Sequence, residues 1–396
     1  MTPAARAQAA IELLDQIIAA ARDDGAAADT LIARYFRDRR YAGSKDRRAV
    51  RDLVYRAVRR YGDAPATGRA AMVGLAKDDA DLAGLFDGSP HGPAPIQLEE
   101  AATEPSLLPQ WILPKLATIA DKAEQTALLY RAPLHIRANL LKASEPEIYS
   151  RWPEAERIAG TRAGYALPAG TDVPDDGIAD VQDAGSQLIA QACEVRPGMT
   201  VLDLCAGAGG KTLALAIDMV SDGKGQGRLI AADAVRDRLS RLDPRAERAG
   251  YGDWIETLLL NGGRESETLQ PLNDQCDVVL IDAPCSGSGT WRRNPEARWR
   301  LTPARLERIV ALQARLLTVA APLVKSGGRL VYAVCSLIDQ EGRDQVQQFV
   351  SDNMQWRVVH HSGSETAPGR SWGGGTLLTP HHDGTDGFFF AVLEKA

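Results

Sequence analysis

At 396 residues the chain exceeds what one hydrophobic core usually holds and implies two or three domains. Charged residues make up 25% of it and no run of about 18 apolar residues occurs, which excludes a collagen-like or low-complexity chain and argues against a helical membrane span. A net charge of -6 excludes a uniformly basic nucleic-acid binder, and five cysteines without a CxxC pair argue against a zinc or disulfide framework and for a reducing, cytoplasmic setting.

The N-terminal stretch has no apolar signal core, because Arg6, Asp15, Arg22 and Asp23 interrupt it. Ile11, Leu14, Ile17 and Ile18 recur at helical spacing, and Leu31, Ile32, Tyr35 and Phe36 form a second apolar set. Ser44 is predicted to cap a third helix that puts Val50, Leu53, Val54, Ala57 and Val58 on one face. Residues 1–62 therefore read as a small helical module. Between Arg34 and Arg60 stand eleven basic residues against Asp38, Asp46 and Asp52. Arginine dominates, which suits forked contacts to phosphate, and Arg47 and Arg48 are candidate RNA contacts. The competing reading is a solvated basic face on a helical bundle. Residues 63–105 carry eight acids against Arg69 and Lys77 and read as an acidic, weakly helical connector with a loop at Gly88–Pro95. Residues 106–180 form a small α+β domain: a helix from Ile112 to about Tyr130, then a strand from Leu134 to Ser144 in which Arg137 and Asn139 share a face.

From residue 181 to 396 strands alternate with helices. Strands are predicted at Val201–Leu204, Arg228–Asp233, Ile255–Leu260, Cys276–Asp282, Gly328–Cys335, Trp356–His361 and Gly387–Leu393, with helices at Gln187–Cys193, from Lys211, at Pro303–Val324 and at Glu341–Asn353. This is a doubly wound, Rossmann-like α/β sheet with helices on both faces.

Its first strand runs into Gly207-Ala208-Gly209-Gly210 and a helix, the arrangement that offers backbone N–H groups to a ligand. The turn is not GxGxxG, which disfavours a nicotinamide dinucleotide. Asp233 lies 23 residues beyond Gly210 at a strand end, where an acid bonds ribose hydroxyls. The fourth strand ends in DAPCSGSGTWRRNP and the fifth in Val334-Cys335-Ser336, so neighbouring strands deliver Cys285 and Cys335 to one cleft. Either thiol alone would read as a small buried residue; together, beside Asp282, they read as chemistry. Arg292, Arg293, Arg298 and Arg300 follow, interleaved with Trp291 and Trp299, the combination that holds single-stranded RNA near a flipped base. The alternative is a helix start with core tryptophans. His381-His382-Asp383 gives no metal site, since adjacent histidines point apart.

These pieces (CAGAGGKT at Cys205–Thr212, the strand ending at Asp233, DAPCSGSGTWRRNP, Cys335 and the closing GTDGFFFAVLEK) resemble the RsmB-like (Sun/Fmu) family of S-adenosylmethionine-dependent RNA cytosine-5 methyltransferases. IRANLLKAS resembles the strand that precedes that catalytic domain, and residues 1–62 resemble its NusB-like RNA-binding module. The resemblance implies a thiolate attack by Cys335 on carbon 6 of cytosine, product release assisted by Cys285, and a contact from Asp282 to the flipped base. It implies S-adenosylmethionine held by Cys205, Ala206, Gly207, Ala208, Gly209, Gly210, Lys211, Asp233, Asn261 and Asp282, with Lys211 on the methionine carboxylate. RNA contacts would come from Arg137, Asn139, Arg292, Arg293, Arg47 and Arg48. The substrate expected is small-subunit ribosomal RNA and the protein a monomer; the alternatives are transfer RNA, or a silent RNA-binding assembly factor. The chain departs from the family at Ala208, where proline is usual, at Val334, where threonine is usual, and at Asn261, where an acid is usual.

Overall fold

The computed structural model describes residues 1–23, 25–359 and 368–396. They form two compact units, residues 1–130 with 290–305, and residues 131–289 with 306–396. No helix among the described residues is long and apolar enough to cross a membrane.

The first unit is helical. Helix α1 (Pro3–Arg22) starts where Thr2 accepts the N–H of Ala5 and proline occupies the first turn. Helices α2 (Ala28–Arg37) and α3 (Ser44–Arg60) follow, and α3 begins after Gly43, whose N–H donates to Asp46, so Ser44 opens the helix rather than capping it. The stripe of Leu13, Leu14, Ile17, Val50, Val54 and Val58 is fully buried. The predicted acidic connector is not a loose linker. Thr67 caps α4 (Gly68–Ala76), which buries Met72, Val73 and Leu75 in the same core. Its flanking acids pair with the basic stretch, Asp79 with Arg56 at 2.7 Å and Asp78 with Arg60. The charge imbalance along the sequence is thus partly cancelled in space.

Residues 290–305, which follow the DAPCSGSG loop in the sequence, belong to this helical unit. Arg298 is fully buried and donates to the carbonyls of Val58 (2.5 Å), Arg59 and Tyr61 (3.0 Å each), the orphan acceptors at the end of α3. Trp299 donates to Tyr61 O at 2.8 Å, Arg300 to the carbonyls of Gly25 and Ala26, and Glu296 accepts the N–H of Ala28 at the start of α2. Trp291 is buried as well.

Among the described residues the second unit holds two large sheets and a two-stranded hairpin, Val220–Ser221 with Lys224–Gly225. The smaller comprises β1 (Leu134–Ala138), β2 (Glu156–Arg157), β3 (Gly164–Leu167) and β4 (Ala179–Val181) in the order β2-β3-β1-β4. The predicted long strand stops at Ala138 because Asn139 turns the chain, its side-chain oxygen accepting the N–H of Leu141. The larger sheet comprises β5 (Thr200–Asp203), β6 (Arg228–Asp233), β7 (Ile255–Leu259), β8 (Cys276–Asp282), β9 (Val324–Val334), β10 (Trp356–Val359), β11 (Arg370–Trp372), β12 (Gly375–Leu378) and β13 (Phe388–Lys395). Its order is β11-β12-β13-β9-β8-β5-β6-β7, with β10 also on β13. The run β9-β8-β5-β6-β7 is parallel, and β13 closes antiparallel on β9 with Val334 opposite Phe389. Val201, Leu202, Val279, Leu280, Leu330 and Val331 are fully buried, as strands covered on both faces require. The covering helices are α5 (Ala184–Ala192), α6 (Gly210–Asp218), α7 (Leu242–Ala249), α8 (Pro303–Ala320) and α9 (Arg343–Asp352). The Arg370–Leu378 hairpin has no counterpart in the sequence reading, and His360 and His361 lie outside the described residues.

Candidate active site

Strand order reverses between β5 and β8, which places a crevice outside their carboxyl ends. Asp203, Asp233 and Asp282 end β5, β6 and β8 at that edge. Asp282 lies opposite Ala333, so Cys285 and Cys335, three and two residues farther on, leave the sheet side by side.

The glycine turn follows β5. Gly207 and Gly209 take left-handed φ values of 56° and 83°, which a side chain would oppose. Asp233 organises both the turn and the end of its own strand: it accepts Gly207 N–H at 2.8 Å and Val235 N–H at 2.7 Å. Asp203 is buried beneath, accepting the Thr212 hydroxyl at 2.7 Å, while its Oδ1 has no partner. Burial pushes its pKa up to about 7. Asn261, just past β7, is exposed, and Leu260 beside it donates to Asp233 O at 2.9 Å.

Lys211 is buried and donates to Asp282 at 2.7 Å. Burial works against its charge, but Asp282 outweighs that and holds the ammonium above its ordinary range. Cys285 Sγ and Cys335 Sγ are 3.2 Å apart. The hydrogen bond to Cys335, reinforced by burial, holds the Cys285 thiol well above the usual thiol range. Beneath both lies Glu341, fully buried, which accepts from Ser286 N–H at 2.7 Å and from the hydroxyls of Ser286 and Ser336 at 2.5 Å each. The sequence reading missed Glu341, taking it for the first residue of a helix; α9 begins at Arg343. The one signal available was its place six residues after Cys335.

Several predicted RNA contacts stand elsewhere. Arg137 is buried and donates to Gly210 O at 2.8 Å, to Gln182 and to Asp180. Asn139 is buried too, donating to the carbonyls of Gly177 (2.9 Å) and Ala249 (2.8 Å). Both brace the second unit from within, which corrects their reading as an RNA-facing pair. Arg292 is buried and Arg293 half-buried; Arg298 and Arg300 cap backbone in the helical unit instead of facing RNA. Arg47 and Arg48 are exposed and line a cleft of about 570 Å³ with Ile32, Phe36 and Arg51.

The family model described as 16S rRNA methyltransferase RsmB/F matches residues 190–394. The chain belongs to this family. The probable ribosomal RNA small subunit methyltransferase B of Synechocystis sp. is 34% identical over 304 residues, 73% of this chain and 67% of that protein. The ribosomal RNA small subunit methyltransferase B of Serratia proteamaculans is 30% identical over 75% of this chain and 69% of its own length. A solved methyltransferase homolog from Pyrococcus horikoshii is 26% identical, with a TM-score of 0.59 over 71% of this chain and 92% of that one. The cofactor of this methyltransferase family is S-adenosylmethionine. The glycine cradle, the strand-end acid Asp233 and the partnerless buried oxygen of Asp203 fit such a ligand.

Proposed function

We propose that this protein methylates carbon 5 of a cytosine in 16S ribosomal RNA through a covalent adduct to Cys335. The observation that carries the reading is the pair of thiols 3.2 Å apart at the ends of adjacent parallel strands, beside the Lys211–Asp282 pair. S-adenosylmethionine supplies the methyl group as an electrophile. The turn from Cys205 through Gly210, with Asp233 and Asn261, would hold it. Lys211, whose ammonium donates to Asp282 at 2.7 Å, has further donors for the methionine carboxylate.

Carbon 5 of cytosine is a poor nucleophile. Addition of the Cys335 thiolate at carbon 6 turns the ring into an enamine and makes carbon 5 reactive. Once carbon 5 is methylated, a base takes its proton, the C–H electron pair restores the carbon 5–carbon 6 double bond, and the sulfur–carbon 6 bond breaks with its electron pair returning to Cys335. Cys285, 3.2 Å away, donates its S–H to that departing sulfur. Lys211 fixes one oxygen of Asp282, and the carboxylate keeps about a third of its surface exposed for the base. The exposed Arg47 and Arg48 supply phosphate contacts on the helical unit.

The test is methyl transfer from labelled cofactor to 16S rRNA, with the product digested and identified as 5-methylcytidine. Cys335→Ala should lower turnover at least ~10³-fold. Cys285→Ala should accumulate a protein–RNA adduct visible as a shifted band on a denaturing gel. Full turnover by Cys335→Ala would sink the covalent reading, and methylation of transfer RNA in place of 16S rRNA would change the substrate.

A further inference from the structure

The two thiols sit on separate loops, one leaving β8 and one leaving β9, and past Asp282 and Ala333 the backbone joins them at Ala283 N–H to Ala333 O (2.8 Å) and Gly289 N–H to Cys335 O (3.1 Å), neither of which fixes Cys285 itself. We propose that Glu341 is the positioning residue that locks them together. This rests on the covalent reading above for its catalytic consequence, though not for its geometry.

The bonds of its carboxylate make the case. One oxygen accepts Ser286 N–H at 2.7 Å and Gln313 Nε2 at 3.1 Å; the other accepts the hydroxyls of Ser286 and Ser336 at 2.5 Å each. Ser286 follows Cys285 and Ser336 follows Cys335, so one carboxylate grips the residue after each thiol. Gln313 also donates to Pro284 O at 2.9 Å, so the Cys285 loop is held on both sides of the cysteine. Glu341 is itself fixed, its backbone carbonyl accepting the Tyr332 hydroxyl at 2.6 Å. Ser288 adds a second tie, 2.9 Å from the Ser336 hydroxyl and accepting Leu337 N–H at 2.9 Å.

A fully buried carboxylate is costly unless donors satisfy it, and an apolar side chain would fill the same space more cheaply. Here three of the four donors come from the residues that follow the two cysteines. Their loss removes the tie next to each cysteine and leaves the loops joined through Ser288 and Gly289. The thiols then keep their chemistry, but Cys335 loses its fixed position for attack and the pair loses the 3.2 Å separation on which release depends. The two arms also differ. Ser336 steadies the attacking sulfur, and Ser286 steadies the proton donor for release.

Four variants test this: Glu341→Gln, Glu341→Ala, Ser336→Ala and Ser286→Ala, each checked for melting temperature and cofactor affinity. The first readout is independent of methylation. Diamide takes the two thiol hydrogens of an adjacent pair and leaves a disulfide, so its rate, followed by mass, reports how the sulfurs are held. Glu341→Gln should slow Cys285–Cys335 disulfide formation at least ~10-fold and lower kcat ~10²-fold with KM for RNA and cofactor affinity unchanged. Ser336→Ala should slow adduct formation, and Ser286→Ala should prolong the adduct. A wild-type diamide rate in both Glu341 variants overturns the proposal. So does a fall in kcat that comes only with lost cofactor binding and a lowered melting temperature, which would make Glu341 a purely structural residue. Failure of the wild-type protein to form 5-methylcytidine would overturn the function proposed above but leave the diamide result standing.

Discussion

Asp203 ionises at a cost. Its carboxyl lies fully buried under the glycine turn with a single hydroxyl donor, and burial moves its pKa from 3.8 to about 7. In the unfolded chain it releases its proton near 4; in the folded chain it does so near 7. The contribution of Asp203 to stability is therefore greatest below the lower value and falls as pH rises between the two, by on the order of 4 kcal/mol once both states are ionised. Asp203→Asn should flatten the decline in melting temperature between about pH 5 and pH 8 and melt above the wild type at the upper end. Calorimetry across that range checks it; an unchanged slope would assign the decline to other groups. The placement of the neighbouring side chains was largely legible at this scale. Cys285, Cys335 and Asp282 stand at strand ends that apolar runs alone delimit. Glu341 was not, because a carboxylate at the start of a polar stretch looks the same whether it faces water or a pair of buried serines.

Elements carry the next level of detail. Strands β6 and β8 have the ends that their apolar runs predict, since burial on both faces leaves no other use for such residues. The glycine turn was visible too, but what stiffens it was not. Arg245 donates to Ala208 O at 2.5 Å, and Arg137 and Gln182 donate to Gly210 O at 2.8 and 3.0 Å. Strand alternation put Arg137 on a face without naming what the face meets, and its partner lies 73 residues away. Alanine at position 208 leaves the turn tethered by these carbonyl contacts. The two left-handed glycines are not equivalent. At Gly207 an added Cβ meets open space, whereas at Gly209 it collides with the Leu242 side chain on α7. Gly207→Ala should cost about 1–2 kcal/mol from the backbone alone. Gly209→Ala should cost about 1–3 kcal/mol more and weaken cofactor binding, because the start of α6 must move. Chemical denaturation and cofactor titration of both variants check the ranking, and equal losses would overturn it.

At the scale of the whole molecule, charge is the property that the sequence states most ambiguously. The arginine-rich stretch and the acidic stretch after it lie apart along the chain, yet Arg56 and Arg60 pair with Asp79 and Asp78, while Arg69 and Lys77 pair with Glu100 and Glu104 inside the acidic stretch. Arginines at 298 and 300, which look like RNA contacts when read in a line, close backbone carbonyls of the helical unit. Such pairings are long-range, and composition cannot anticipate them. What survives as an electrostatic footprint is narrower: Arg34, Arg37, Arg40, Lys45, Arg47 and Arg48 are exposed, and of these Arg47 and Arg48 stand near the start of α3 beside the apolar Ile32 and Phe36. If these two neutralise phosphates, their reversal removes two released counterions from the binding equilibrium. The Arg47→Glu, Arg48→Glu double variant should weaken RNA binding most at low salt and reduce the slope of log affinity against log salt by roughly 1.4. Arg56→Gln, whose charge already faces Asp79 at 2.7 Å, should change that slope far less. Cofactor affinity should be the same in all three proteins, since its residues belong to the other unit. Filter binding over a range of salt concentrations decides the matter. An unaltered slope in the double variant would move the RNA footprint off this face and return Arg47 and Arg48 to the role of a solvated helix surface.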